Sequence, residues 1–151
     1  MIRIDARVLL VSAAIFVITS GVCVAQDTTT VILGGTGQAP HIQTVIDGVS
    51  DALSSSGVKV KVNSGDSKSR TAILDEMKTS GNSVLLYLTV NTVKGQRGKL
   101  LAESFVDGKK IWEEEVRGSL MAVSAEGEVR GMMKNLNEKL KRRVGGPGLP
   151  K

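Results

Sequence analysis

The chain has 151 residues, enough for one domain around a single core once any processed leader is set aside. Its formal charge of +5 is mild for that size and calls for no polyanionic partner. One cysteine, one histidine, one Trp, one Tyr and two Phe give little material for thiol chemistry, clustered metal ligation or the aromatic platforms that stack nucleic acid and sugars.

The first residues have the three parts of a secretory signal. Arg3 and Arg7 form a basic start diluted by Asp5, residues 8–18 are an apolar run, and Cys23-Val24-Ala25 places small residues at −3 and −1 of a cut before Gln26. An uncleaved anchor is the alternative, because residues 8–25 approach the roughly 20 residues that span a bilayer. Gly21 and the polar pair Thr19-Ser20 interrupt that run and favour cleavage. Lipidation at Cys23 would want a small residue before it, where Val22 stands. Removing residues 1–25 would leave a mature chain with no thiol, whose stability must come from its core.

Residues 30–33 read as a compact strand stopped by Gly34-Gly35-Thr36-Gly37. Pro40 suits a first helical turn, and Ile42, Val45, Ile46, Val49, Ala52 and Leu53 then recur at helical spacing. Gly57 suits the left-handed position after that helix. Residues 58–62 alternate valine and lysine, the pattern of a strand with one wet face, placed at a sheet edge. A polar loop over 63–69 leads to a shorter helix carrying Ala72, Ile73 and Met77 and ending near Gly81.

Three strand-like runs follow, over 84–93, 100–106 and 110–116. Asp107-Gly108 favours a type I′ turn between the last two, and residues 95–98 make a looser bend between the first two. Both faces of 84–90 carry apolar residues, as in a central strand. Ser124 can cap the last helix, whose stripe is Val129, Met132, Met133, Leu136, Leu140 and Val144. Residues 145–151 are rich in Gly and Pro and read as a disordered tail.

The order strand, helix, strand, helix, three strands, helix defines an α/β (α+β) fold in one domain over 26–144. We expect a two-layer sandwich: a mixed sheet of about five strands with a C-terminal antiparallel meander, and three helices over one face. A parallel pairing of the first two strands would make a right-handed crossover.

This order, with HIQTVIDGVSDALSSSG running into VKVKV, a DGKKIWEEEV turn and a closing EVRGMMKNLNEKLKRRV, resembles small exported α/β domains of bacterial envelope proteins. The amino-terminal domain of the Tol-Pal propeller protein and the periplasmic domain of the curli secretion channel are similar in element pattern over residues 31–144. The resemblance implies a binding or assembly role at the envelope. The chain has no propeller and no channel-forming insertion to carry those activities over.

The candidate sites are few. The 34–37 glycines follow a strand and precede a helix, as a phosphate loop does, but Pro40 stands where the third fingerprint glycine would fall, and no Gly-Lys-Ser/Thr follows. If the first two strands are parallel, Gly35, Gly37, Ser67, Ser69 and Arg70 share one sheet end and could form a small anion pocket. A plain strand-to-helix loop is the alternative. His41 has no nucleophile or carboxylate placed against it by sequence. Glu113, Glu114 and Glu115 point to alternate strand faces, which suits no metal. Lys94, Arg97 and Lys99, and again Lys139, Lys141, Arg142 and Arg143, could touch anionic surfaces, though the second group also complements a helix dipole.

The function expected from these features is an exported, non-enzymatic binding or assembly domain with no cofactor. Its partner would be an envelope protein or a second copy, with no nucleic acid, no membrane span after processing and at most weak contact with an anionic surface. The alternative is a binder of a small anion or nucleotide-like ligand at the 34–37 loop.

Overall fold

A computed structural model describes residues 29–63, 69–81, 84–93 and 95–151. The signal segment, including the cut before Gln26 and Cys23, lies outside the described residues. In chain order the elements are β1 (Val31–Gly37), α1 (His41–Ser55), β2 (Val60–Val62), α2 (Arg70–Ser80), β3 (Val84–Asn91), β4 (Lys99–Val106), β5 (Lys109–Arg117) and α3 (Ala125–Arg143). The strands form one mixed sheet in the order β2-β1-β3-β4-β5. β1 lies parallel to β2 and β3, and β3-β4-β5 is an antiparallel meander. The α/β fold, the five strands and the three helices match the pattern of the sequence.

Local chemistry sets most boundaries. Ser69 Oγ accepts the Ala72 N–H and Ser124 Oγ accepts the Gly127 N–H, so each hydroxyl satisfies an orphan donor of a first helical turn. Gly57 and Gly81 take positive φ just past α1 and α2. Asp107 and Gly108 both have positive φ, which the two-residue turn between β4 and β5 requires.

The strand order decides where the helices go. The chain steps from β1 to β2 on one side, then returns across β1 to β3. Right-handed crossovers that reverse direction put their connecting helices on opposite faces. α1 and α3 accordingly bury Val45, Val49, Leu53, Met132, Leu136 and Leu140 against Val31, Leu33, Leu86, Leu88 and Leu100. α2 lies on the other face, with Ile73 and Met77 against Ile32, Leu85, Tyr87 and Phe105. The expectation that helices cover one face is therefore corrected over β1 and β3, where a third layer is present. α2 is short, and the second face of β4 and β5 is dressed by charge instead.

Two further boundaries differ from the sequence pattern. β1 does not stop at Gly34 but runs through Gly37, paired residue for residue with β3 up to Val90. The 145–151 segment, expected as a disordered tail, folds back on the sheet. Leu149 is fully buried in the main core, Ser104 Oγ donates to the Gly148 carbonyl at 2.6 Å, and Trp112 Nε1 donates to the Pro147 carbonyl at 3.0 Å. A Cβ on Gly148 would come within 2.8 Å of Trp112 Nε1, and its φ is +78, so this fold-back needs glycine there.

Candidate functional site

Of the residues singled out for an anion pocket, the described ones (Gly35, Gly37, Ser69 and Arg70) are not gathered into one. Gly34 to Gly37 belong to a paired strand, and the glycines serve close approach. A Cβ on Gly34 would meet Ile73 Cδ1 at 2.8 Å, and one on Gly35 would meet Ile42 Cδ1 and the Leu88 carbonyl oxygen at the same distance. One on Gly37 would meet the Val90 carbonyl oxygen at 2.7 Å. Gly35 and Gly37 thus face α1. Arg70 lies on the opposite face, where its Nη1 donates to Glu103 Oε2 at 2.9 Å and to Oε1 at 3.1 Å. Its guanidinium also sits 5.4 Å from the centre of the Phe105 ring. Ser69 is occupied as the cap of α2, and Ser67 lies outside the described residues. Among the described members, the fork meant for a ligand holds the chain's own buried carboxylate. The sequence could not show this, because Arg70 and Glu103 are brought together only by the sheet.

The remaining charged groups are mostly internal too. Glu114 faces α3 and accepts from Arg143 Nε at 2.9 Å and from Lys139 Nζ at 3.1 Å, while Glu113 and Glu115 lie on the other face. The Arg143 hydrogen bond is the main reason that the Glu114 carboxyl titrates below its ordinary range, with Lys139 adding to it against partial burial. Arg143 also lies 4.7 Å from the Trp112 ring. Two cations of the α3 end cluster are therefore structural, beyond any dipole effect. Among the described residues, no three His, Cys, Asp or Glu side chains converge as a metal site would require.

One region stands apart: the sheet end at the carboxyl termini of β1 and β3. The strand order reverses between these two strands, so their connections leave in opposite directions and open a crevice. A groove of about 580 Å³ occupies it, lined among others by Gln38, His41, Thr92, Val93, Leu120 and Val123. Thr92 Oγ1 donates to Gln38 Oε1 at 3.1 Å across the crevice. His41, against which the sequence places no nucleophile or carboxylate, is half-buried in this wall. Glu128 also lines the groove, but its Oε1 accepts the Gly98 N–H at 2.7 Å and the side chain packs against Gly118.

The β5–α3 connection forms the rim. Gly118 N–H donates to the Gly98 carbonyl at 2.8 Å, tying this connection to the β3–β4 bend. The next residues turn on Ser119: the Met121 N–H bonds Ser119 Oγ at 3.1 Å and the Ala122 N–H bonds its carbonyl at 3.2 Å. That turn leaves its apolar side chains outward, with Leu120 67%, Met121 91% and Val123 104% exposed. Val93, across the groove, is 46% exposed. Sequence reasoning passed over these residues. The available signal was an apolar Leu-Met-Ala-Val run between a strand end and a helix cap, where loop residues are usually polar.

No family model matches the chain, and no curated protein matches it. Among solved structures, a PelC dodecamer from Paraburkholderia phytofirmans is similar at 10% identity and a TM-score of 0.47, covering 74% of this chain and 87% of that one. It is neither of the two domains that the sequence resembles in element pattern.

Proposed function

We propose that this chain is an exported, non-enzymatic binding or assembly domain of the bacterial envelope, engaging its partner through the sheet end formed by residues 92–93, 95–98 and 118–124. The observation that carries this reading is the cluster of Leu120, Val123 and Val93, exposed around one groove, with Met121 exposed beside them on the same turn. Single exposed apolar residues are ordinary on soluble proteins, whereas several gathered at one place mark interaction sites. The same residues make no use of the core, so folding gives no reason for them. Export rests on the three-part segment at residues 1–25. No helix among the described residues is long and apolar enough to cross a membrane.

Capture from an envelope extract, with the full chain and its Leu120→Ser/Met121→Ser variant as baits, tests the reading. The expected result is an envelope component retained by the parent and lost by the variant, with equal thermal stability of the two. Identical capture by both, or no envelope protein or lipid held by either, overturns it.

A further inference from the structure

The partner surface can be given a chemistry. Three features of the sheet end bear on it. The first is shape: Met121 and Val123 are almost free of contact with their own chain, so they stand out as a tip instead of lining a flat patch. The second is composition. The tip is Leu-Met-Ala-Val, uncharged and free of polar side chains that would resist entry into an acyl boundary.

The third is charge. Arg97, in the neighbouring bend, is exposed and has no ion-pair partner among the described residues. Arg117 immediately precedes the tip and is 71% exposed. The carboxylates nearby are turned to their own chain. Glu115 lies between Lys99 at 2.6 Å and Arg117 at 2.7 Å, Glu126 pairs with Arg130, and Glu128 points inward to the Gly98 N–H. An apolar tip flanked by the exposed guanidinium groups of Arg97, which has no ion pair among the described residues, and Arg117, which shares Glu115 with Lys99, complements a negatively charged interface that has an apolar interior.

We infer that this sheet end docks on an anionic lipid surface, the 119–123 turn entering the headgroup boundary while Arg97 and Arg117 meet the phosphates. The inference rests on the binding reading above and names its partner class. Two of the tip's backbone N–H groups, those of Met121 and Ala122, are already bonded to Ser119, which lowers the cost of bringing them to the boundary. Insertion of a few aliphatic side chains gives weak, reversible attachment by itself, so the cations are needed to make it salt-sensitive and selective for anionic headgroups.

The test uses the full chain as recovered from the producing cell, with vesicles of phosphatidylglycerol in phosphatidylcholine against vesicles of phosphatidylcholine alone. Co-sedimentation should favour the anionic vesicles by about tenfold or more, and should weaken as salt shortens the screening length. Leu120→Ser/Met121→Ser/Val123→Ser should remove the binding, and Arg97→Glu should weaken it by about tenfold on anionic vesicles only. Fluorescence of Met121→Trp should shift to the blue with anionic vesicles.

Binding that survives the triple substitution belongs to the apolar amino-terminal run and overturns the inference. Absence of vesicle binding also overturns it, as does a concentration-dependent dimer that the same substitutions abolish. If vesicles fail while the tip variant still loses a captured protein, the binding reading stands and the lipid surface is wrong. If both experiments fail, both readings fall.

Discussion

Two irregular segments of this molecule carry a leucine each, and they treat it in opposite ways. In the closing 145–151 segment Leu149 is fully buried, whereas in the β5–α3 connection Leu120 is 67% exposed. The difference lies in what the backbone bonds to. The closing segment gives its Pro147 and Gly148 carbonyls to Trp112 and Ser104 of the sheet, which draws Leu149 into the core. Past Gly118, which is tied to the Gly98 carbonyl, the connection turns on Ser119 through the Met121 and Ala122 N–H groups, and its apolar side chains stay outside. Both segments bond partly within themselves, Gly145 N–H to the Leu149 carbonyl in the closing one, so what sets them apart is the pair of side-chain donors that the sheet offers to the closing segment. The closing segment contributes to stability, and the connection is left free for contact.

Leu149→Ala breaks the contrast most directly. Loss of a fully buried leucine costs about 2–5 kcal/mol through transfer and cavity terms, and a denaturant midpoint shift should show it. A cost under about 0.5 kcal/mol, the size typical of surface changes, would mean that the segment does not dock. Ser104→Ala comes next. It leaves the Gly148 carbonyl without its side-chain donor in a buried place, at about 1–3 kcal/mol. Proteolysis should then reach residues 145–151 before the rest of the domain.

The Glu114 cluster beside that segment sharpens the picture through pH. The folded carboxyl titrates below its ordinary value of 4.5, chiefly through the Arg143 hydrogen bond. The sign follows from linkage: this contribution is complete above the unfolded value and is lost as pH falls through the folded one. The stability gap between the parent and Glu114→Gln should accordingly be largest at neutral pH and close in acid. A gap that widens in acid would contradict the placement of Arg143. The smallest effect is expected at the other segment. Met121→Ser should change stability by less than about 0.5 kcal/mol, since the side chain touches little, and any larger destabilisation would show that the tip is part of the core.

Helix faces and tight turns were legible because their causes lie within a few residues. The α3 stripe, including Val129, Met132, Leu136 and Leu140, is buried as its spacing implies. The Asp107-Gly108 turn and the Ser69 and Ser124 caps also sit where local chemistry puts them. The glycines of β1 were misread for a physical reason. Local propensity makes Gly34 to Gly37 a loop, but side chains at these positions would collide with Ile73, Ile42 or the β3 backbone. Gly35→Val would disturb that packing whether or not any ligand exists. For the candidate site, His41 and the cations of the β3–β4 bend stand out in the sequence, whereas the apolar tip beside them does not.

Residue order alone determined the alternation of strands and helices, the meander, and which stripe of each long helix is apolar. Those features follow from the 3.6 and 2.0 residue periods and from turn residues acting on their neighbours. Tertiary structure decided the rest. Reversal of the strand order sent α2 to the second face, and the sheet brought Arg70 onto Glu103 and the closing segment onto Trp112. These pairings join residues 33 and 35 positions apart, and in the unfolded chain no local preference holds such groups together. The sheet end with its exposed tip belongs to the same class: it exists only once β1, β3, β4 and β5 have brought their connections side by side.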